Sequence, residues 1–226
     1  YTADPRFIKN ARKLKAISYD EMLELATLGA QVLNNRSVEI AKKHNVELEV
    51  LSSFVDVPGT IVREAANMEK MLISGVAKDN NVAKISITGI PDAQGWAFRI
   101  FSKLSARDIN VDTILQSAVH GDKRDIFFTV NEDRLNDAVE ALNKYCESIE
   151  GAKLTCDKNV SKISIVGAGM QTHAGVAAKM FEALFTAHID IQMIATSEIK
   201  VSVIVSQENA DEAVRTVHNA FFSTVD

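Results

Sequence analysis

The hydrophobic and polar positions of the chain follow one order twice. Residues 84–117 and 162–197 each begin with a short β-branched run, continue through a glycine-containing loop and an amphipathic helix pattern, and end in a second extended run. The apolar helix positions recur at i, i+3, i+4 and i+7: Ala97, Ile100, Phe101 and Leu104 in the first copy, and Ala177, Met180, Phe181 and Leu184 in the second, 80 positions later. This spacing predicts helices that lie with one face on a sheet.

The repeat continues with a further strand and a second helix. Residues 125–130 and 200–205 have the apolar character of strands, and a helical apolar face follows each of them. Residues 152–156 are another strand candidate in the first copy. The order β-α-β-β-α-β predicts an α+β fold with two ferredoxin-like domains.

The second copy has few residues after its last helix and so lacks a fourth strand of its own. An incomplete sheet would leave an open edge. The apolar residues 71–77, which precede the first copy, are the candidate for the missing strand. We therefore expect the first domain, 82–158, to be inserted in a discontinuous second domain formed by 67–81 and 159–226.

Residues 1–66 have a different pattern from the repeats. The candidate elements are a helix started by the capping box of Ser18 and Glu21 and stopped at Gly29, a second helix at 36–44 capped by Asn45, and a strand at 46–50. This order is typical of the trailing part of an α/β domain whose main sheet the chain does not contain.

The net charge of −5 argues against nucleic-acid binding, because a basic stripe would be needed to neutralise phosphates. The RNA-recognition motif has the same ferredoxin-like topology, with Phe127 and Phe128 as possible stacking residues. Its glycine-aromatic signature is absent, however, and a buried strand aromatic is the competing interpretation.

Cysteine content and hydropathy argue against a metal-binding or membrane-spanning protein. Cys146 and Cys156 lack the paired spacing of a metal site, so we predict no metal and two reduced thiols. No apolar run approaches the roughly 18 residues of a membrane helix. Residues 1–6 contain neither Met nor a signal-like core, which leads us to expect a cytoplasmic protein whose N-terminus is a cut end.

Several motifs, in the right order, resemble one known family. Residues 1–6 (Tyr-Thr-Ala-Asp-Pro-Arg), 18–26 (Ser-Tyr-Asp-Glu-Met-Leu-Glu-Leu-Ala), 29–33 and 52–54 resemble the last part of the catalytic domain of aspartate kinase. The repeats resemble the paired ACT domains that follow in that family, through 89–92 (Gly-Ile-Pro-Asp), 110–112 (Asn-Val-Asp) and 196–202 (Thr-Ser-Glu-Ile-Lys-Val-Ser). The resemblance covers all 226 residues.

The resemblance implies ATP-dependent phosphorylation of aspartate by a parent enzyme that uses Mg²⁺, with feedback inhibition by lysine, threonine or both. It also matches Tyr1, Asp4 and Arg6 to the segment that holds the nucleotide, where an arginine can pair with phosphate. The alternative is that Arg6 is a solvated surface charge. The family's Lys-Phe-Gly-Gly motif is absent, so we expect no catalytic residue, no cofactor and no activity in this chain without the remainder of the catalytic domain.

The sequence departs from the family in the kinase segment. Many members have Lys where this chain has Gln31, and His-Pro where it has Asn34 and Asn35. A nucleotide role for Gln31 is therefore not predicted.

The resemblance places an effector amino acid at the loop 89–95 of the first repeat. The backbone amides at the start of the following helix would suit a carboxylate, and nearby side-chain oxygens would suit an ammonium group. The predicted effector residues are Asp92, Gln94, Gly95, Trp96, Ala97, Asn110, Asp112 and Gln116, with Asp190, Ile191 and Gln192 from the second repeat closing the pocket.

Each side chain also has a structural interpretation. Asp92 would cap the helix or turn, Gln116 would be an exposed strand residue, and Asn110 would form a left-handed turn. The loop 167–175 is two residues longer and has no carboxylate, so we interpret it as a degenerate partner loop in which His173 is structural.

Two functional classes remain. The first is a regulatory, amino-acid-sensing module that forms a homodimer through its ACT units, either as part of an aspartate kinase or as a separate subunit with a mainly structural role. The second is a catalytic kinase of which this chain is the C-terminal part.

Overall fold

The computed structural model describes residues 1–29, 32–64, 72–119 and 121–223. The chain forms two compact units: a discontinuous unit of Tyr1–Asp79 and Lys162–Asp226, and a continuous unit of Asn80–Ser161. In chain order the elements are β1 (Ala16–Ser18), α1 (Tyr19–Thr27), α2 (Asn35–His44), β2 (Leu48–Val50), β3 (Thr60–Arg63), β4 (Gly75–Asp79), β5 (Ala83–Pro91), α3 (Trp96–Ser105), β6 (Ile114–Gln116), β7 (Lys123–Val130), α4 (Leu135–Glu147), β8 (Lys153–Asp157), β9 (Val160–Val166), α5 (Val176–Thr186), β10 (Met193–Thr196), β11 (Lys200–Ser206) and α6 (Ala210–Phe222).

The continuous unit contains a four-stranded antiparallel sheet in the order β6-β7-β5-β8, with α3 and α4 packed on it. This order confirms the predicted ferredoxin-like fold. Ile100 and Leu104 of the predicted helix face are buried against Ile85 and Ile87 of β5. Phe128 is fully buried in the same core, which confirms its interpretation as a buried strand aromatic.

The discontinuous unit contains a second four-stranded sheet in the order β10-β11-β9-β4. Strand β4 pairs with β9 in antiparallel register, with Gly75 opposite Val166. The predicted strand at 71–77 thus lies at Gly75–Asp79, and Met71 is outside the described residues. Helices α5 and α6 pack on one face of this sheet, where Ile163 and Ile165 are buried.

Ala3 and Ile8 lie in the same cluster as α5 and α6, whereas residues 14–29 and 32–63 lie on the other face of that sheet. They form a three-stranded sheet in the order β1-β3-β2 together with α1 and α2. Leu25 and Val62 of this segment share one buried cluster with Ala77 of β4 and Val166 of β9. The segment and the second repeat therefore share a hydrophobic core.

The local signals in residues 1–64 are confirmed. Ser18 and Glu21 form a reciprocal capping box at the start of α1. Asn34 caps α2 through its side chain, and Asn45 ends that helix in the left-handed conformation with φ 50°. Gly29, just after α1, has φ 91°.

The left-handed residue after α3 is not the predicted Asn110, and α5 is followed by an equivalent residue. Asp108 and His188, which are 80 positions apart, have φ of 53° and 56°. Asn110 does not have a positive φ among the described residues, so its interpretation as a left-handed turn residue is wrong. In the first repeat the left-handed residue, Asp108, thus lies two positions before the predicted one.

Candidate functional site

The loop between β5 and α3 leaves the start of α3 without a side-chain cap. Gly95 occupies the N-cap position with φ 84° and makes no side-chain hydrogen bond to the helix. A Cβ atom at Gly95 would have no atom within 4 Å, so there is open space above the first turn. The amide of Trp96 donates to the carbonyl oxygen of Ala93 at the long distance of 3.4 Å. A helix start of this kind carries a partial positive charge and attracts a carboxylate.

Asp92 lies at the edge of this opening and is paired with Arg124 of β7. The Arg124 side chain is only 13% exposed, and its guanidinium carbon lies 5.1 Å from the centre of the Trp96 ring. The helix cap is Gly95, so the interpretation of Asp92 as the helix cap is wrong. Sequence reasoning missed Arg124, because only the β5–β7 register, with Ile90 opposite Arg124, brings it to the loop.

Asp125 connects the last part of β5 to Ser117, the residue that follows β6. Its Oδ1 accepts a 2.8 Å hydrogen bond from the amide of Gly89, and its own amide donates to Ser117 Oγ at 2.9 Å. Gln116, next to Ser117, is an exposed residue of β6 that pairs with Ile126. Its interpretation as an exposed strand residue is confirmed, and the side chain is accessible to a ligand.

Asp112 and Asn110 lie before β6, and both are exposed. The amide of Asp112 donates to the carbonyl oxygen of Thr129 at 3.1 Å, and its carboxylate accepts from Thr113 Oγ1 at 3.2 Å. These contacts fix the backbone of the segment, while the Asn110 side chain remains at the surface.

The second repeat has a helix start of the same form. Gly175 is the N-cap of α5 with φ 91°, and a Cβ atom there would also have no atom within 4 Å. His173 Nδ1 lies 3.0 Å from the carbonyl oxygen of Gly169, in line with its structural interpretation. Asp190 and Gln192 are exposed, and Ile191 is half-buried beside the core of the discontinuous unit.

The residues matched to the nucleotide segment form a pair at the surface. The Asp4 carboxylate accepts from the Arg6 guanidinium at 2.7 Å, and this hydrogen bond lowers the pKa of Asp4. The Arg6 side chain is 72% exposed, and Tyr1 is exposed as well. Arg6 is thus a solvated charge here, held by its neighbour. Gln31 lies outside the described residues.

The described part of the chain lacks two further features. No group of three or more His, Cys, Asp or Glu residues there is placed to hold a metal ion. No helix among the described residues has the length and apolar character needed to cross a membrane.

Two family models match the chain. The ACT domain model matches residues 85–145 and 163–221, which are the two repeats, and the amino acid kinase family model matches residues 1–52. The aspartokinase of Pseudomonas aeruginosa is 46% identical over 224 residues, which are 98% of this chain and 54% of that protein. The chain thus spans about half the length of the curated relatives it matches.

Solved structures show the same relationship. The ligand-free regulatory subunit of aspartate kinase from Thermus thermophilus is 40% identical with a TM-score of 0.64, and the match covers 66% of this chain and 99% of that one. The aspartate kinase of Clostridium acetobutylicum, described as an allosteric enzyme, is 26% identical with a TM-score of 0.81, and the match covers 97% of this chain and 51% of that one. The chain therefore belongs to the aspartate kinase family, in which it comprises the end of the amino acid kinase domain and the two ACT domains of the regulatory region.

Proposed function

We propose that the ACT domains of this chain bind lysine, threonine or both, and that binding inhibits ATP-dependent phosphorylation of aspartate by the complete kinase. The observation that carries this proposal is the uncapped start of α3, with open space above Gly95 and Asp92 at its edge. An α-amino acid is a zwitterion, and this site offers a complementary charge to each of its ends.

The effector carboxylate would be bound at the positive end of α3. Its oxygens would accept hydrogen bonds from the backbone amides of the first turn, from Gln94 to Ala97. A carboxylate at a helix N-terminus gains both hydrogen bonds and a favourable interaction with the helix dipole. Because Gly95 has no side chain, nothing in the N-cap position competes for these donors.

Asp92 would accept a hydrogen bond from the effector's ammonium group, and Arg124 would hold the Asp92 carboxylate in position. The Arg124 guanidinium is itself kept in place by the Trp96 ring. A carboxylate has two oxygens and about four acceptor sites, so Asp92 can keep its contact with Arg124 and accept a second donor. Arg124 also adds a positive charge near the effector carboxylate.

The other effector residues remain part of the proposal. Asn110, Asp112 and Gln116 would contact the polar end of the effector, since their segment is exposed and its backbone is fixed. That Asp190, Ile191 and Gln192 contact the effector remains a prediction. The choice between lysine and threonine depends on the far end of the pocket, since both share the backbone groups that bind at α3.

The exchange of Asp92 for Ala tests the site. Loss of a charge-assisted hydrogen bond should cost about 1.5–3 kcal/mol, which is roughly a ten- to hundredfold loss in affinity for lysine or threonine. Asp137→Ala is the matched control, because Asp137 is also an exposed aspartate paired with an arginine, Arg134, but on α4.

Calorimetric titration of both variants and the wild type with each amino acid gives the answer. We expect weaker binding only in Asp92→Ala. Unchanged affinity in that variant would place the site elsewhere, and no binding to the wild type would refute the proposed sensing function.

We also propose that the chain forms a homodimer through its ACT domains. Strands β6 and β10 are edge strands of their sheets, and open edges favour pairing with another chain. Sedimentation at micromolar concentration, with and without effector, should give the mass of a dimer. A monomer under both conditions would contradict this proposal.

The complete enzyme would use ATP with Mg²⁺ in the cytoplasm, and Tyr1, Asp4 and Arg6 would belong to its nucleotide segment. In this proposal residues 1–66 are the end of the kinase domain, 82–158 form the first ACT domain, and 67–81 with 159–226 form the second. A separate regulatory subunit with a mainly structural role is the alternative, suggested by the likeness to the Thermus thermophilus subunit. The amino acid kinase match at residues 1–52 favours the joined form.

A further inference from the structure

The carboxylate of Glu21 lies at the centre of a buried hydrogen-bond network. Glu21, on α1, is 6% exposed. Its Oε2 accepts from the amide of Ser18 at 3.2 Å and from Ser18 Oγ at 2.8 Å. Its Oε1 accepts from Ser74 Oγ at 2.7 Å and from the amide of Ala168 at 2.9 Å. Four donors thus surround one buried carboxylate.

The two oxygens of this carboxylate bind to different parts of the family architecture. Ser18 belongs to the segment that matches the amino acid kinase model. Ala168 opens the loop between β9 and α5 of the second ACT domain, and Ser74 directly precedes β4. This loop corresponds to the effector loop of the first repeat. The helix cap of the kinase segment and the ACT loop therefore share one side chain.

An ion pair also holds the same helix one turn further on. Glu24 Oε2 lies 2.8 Å from Lys200 Nζ, at the start of β11. The amide of Gly167 donates to the carbonyl oxygen of Ile199 at 2.9 Å, so the two attachment points are joined to each other. We call Glu21, Glu24 and their partners Ser74, Ala168 and Lys200 the α1 clamp.

We propose that Glu21 is the positioning residue that couples α1 of the kinase domain to the β9–α5 loop of the second ACT domain. This inference rests on the proposed sensing function. A buried carboxylate that loses its donors is strongly destabilised. If the loop shifts when an effector binds, α1 has to move with it, because otherwise the Glu21 charge is left without Ala168 and Ser74. The effector state of the ACT domains then reaches the kinase domain through α1.

Substitution of Glu21 by Gln in the full-length kinase separates binding from its consequence. The amide group of Gln keeps the shape but presents N–H donors on one side, where the wild type has only acceptors, so it cannot satisfy all four donors. Ser18→Ala is the matched control, since it changes the same helix cap and leaves the bonds to Ser74 and Ala168 in place. Ser74→Ala, a milder change that removes one donor from the ACT side, covers the case in which Glu21→Gln does not fold.

The readouts are the dissociation constant of lysine or threonine by calorimetry and the kinase activity at saturating effector. In Glu21→Gln we expect binding within about threefold of the wild type, while the coupling between effector and activity falls by about tenfold. Ser74→Ala should lose part of the coupling, and Ser18→Ala should be inhibited like the wild type.

Two results would overturn the inference, and they differ from each other. Full inhibition of Glu21→Gln and Ser74→Ala by bound effector would show that α1 is not the coupling element, with sensing itself intact. No effector binding to the wild-type kinase would refute the proposed sensing function. The α1 clamp would then have no effector-bound state to couple to the kinase domain.

Discussion

His218 is a fully buried histidine on α6 that is bonded to the kinase segment. Its Nε2 lies 2.8 Å from Thr2 Oγ1, and its ring stacks on Phe222 with the centroids 4.7 Å apart. Its Nδ1 has no hydrogen-bond partner among the described residues. Burial lowers the pKa of His218, and the positive charge of Arg12 lowers it further. The neutral imidazole is therefore the form that fits the folded protein.

This histidine predicts a stability that depends on pH. The unfolded chain takes up a proton near pH 6.5 and the folded chain only at lower pH, so the stability present above about pH 6.5 is lost as the pH falls toward the folded-state pKa of His218. We expect the free energy of unfolding to fall less between pH 7.5 and 5.5 in His218→Gln than in the wild type. Urea denaturation at both pH values measures this.

His44→Gln provides the control, because His44 is exposed at the end of α2. It should keep the dependence of the wild type on pH. An identical pH dependence in the wild type and His218→Gln would show that another group is responsible.

At the level of elements, the pairing of β5 with β7 shifts register between Ile87 and Ile90, which marks a bulge in β5. This bulge and the start of α3 each contain a left-handed glycine. Gly89 has φ 74°, and a Cβ there would lie 2.5 Å from the carbonyl oxygen of Gly151. Gly95 has φ 84°, but its Cβ would meet open space. The first position thus excludes a side chain by contact as well as by backbone conformation.

The two glycines give a matched pair of variants. Gly95→Ala should cost about 1–2 kcal/mol of unfolding free energy, the strain of a left-handed alanine. Gly89→Ala should cost about 2–5 kcal/mol, since a backbone clash adds about 1–3 kcal/mol of overpacking to the same strain. Chemical denaturation of both variants distinguishes these values. Equal losses would show that the β8 side of the sheet yields to the added methyl group.

Local signals in the sequence predicted most of these elements. The capping box at Ser18 and Glu21 and the left-handed Asn45 act within a few residues, so a single segment contains the whole signal. Most strand ends were one or two residues off, for example β7 beginning at Lys123 rather than 125, and β4 begins four residues after its predicted start. Pairing with the neighbouring strand, and not apolar character, sets where a strand ends.

Contacts between distant segments were not predictable in this way. Arg124 reaches Asp92 only through the register of β5 and β7. The bonds of Glu21 to Ser74 and Ala168 join residues 53 and 147 positions apart. In the sequence, Glu21 reads as one half of a capping box, and nothing there indicates its two further donors.

At the scale of the whole molecule, the kinase segment and the second repeat are one compact unit. We predicted three separate domains from the sequence. Hydrophobic periodicity shows that a sheet face is apolar, but it does not show which segment packs on that face. Val166 and Ala77 join the core of residues 1–64. Ser164 on β9 and Ser202 on β11 are also buried, and their hydroxyl groups form a 2.7 Å hydrogen bond with each other. The α1 clamp lies beside this shared core, which contains Met22 and Leu25 of α1.

The most direct test of amino-acid sensing follows the backbone amides of the ¹⁵N-labelled chain by NMR during titration with lysine or threonine. Binding of the effector carboxylate at the start of α3 predicts the largest saturable shifts at residues 94–97, with a weaker response at the ACT loop next to Glu21. Shifts confined to other parts of the chain, or none with either amino acid, would contradict an effector site at α3.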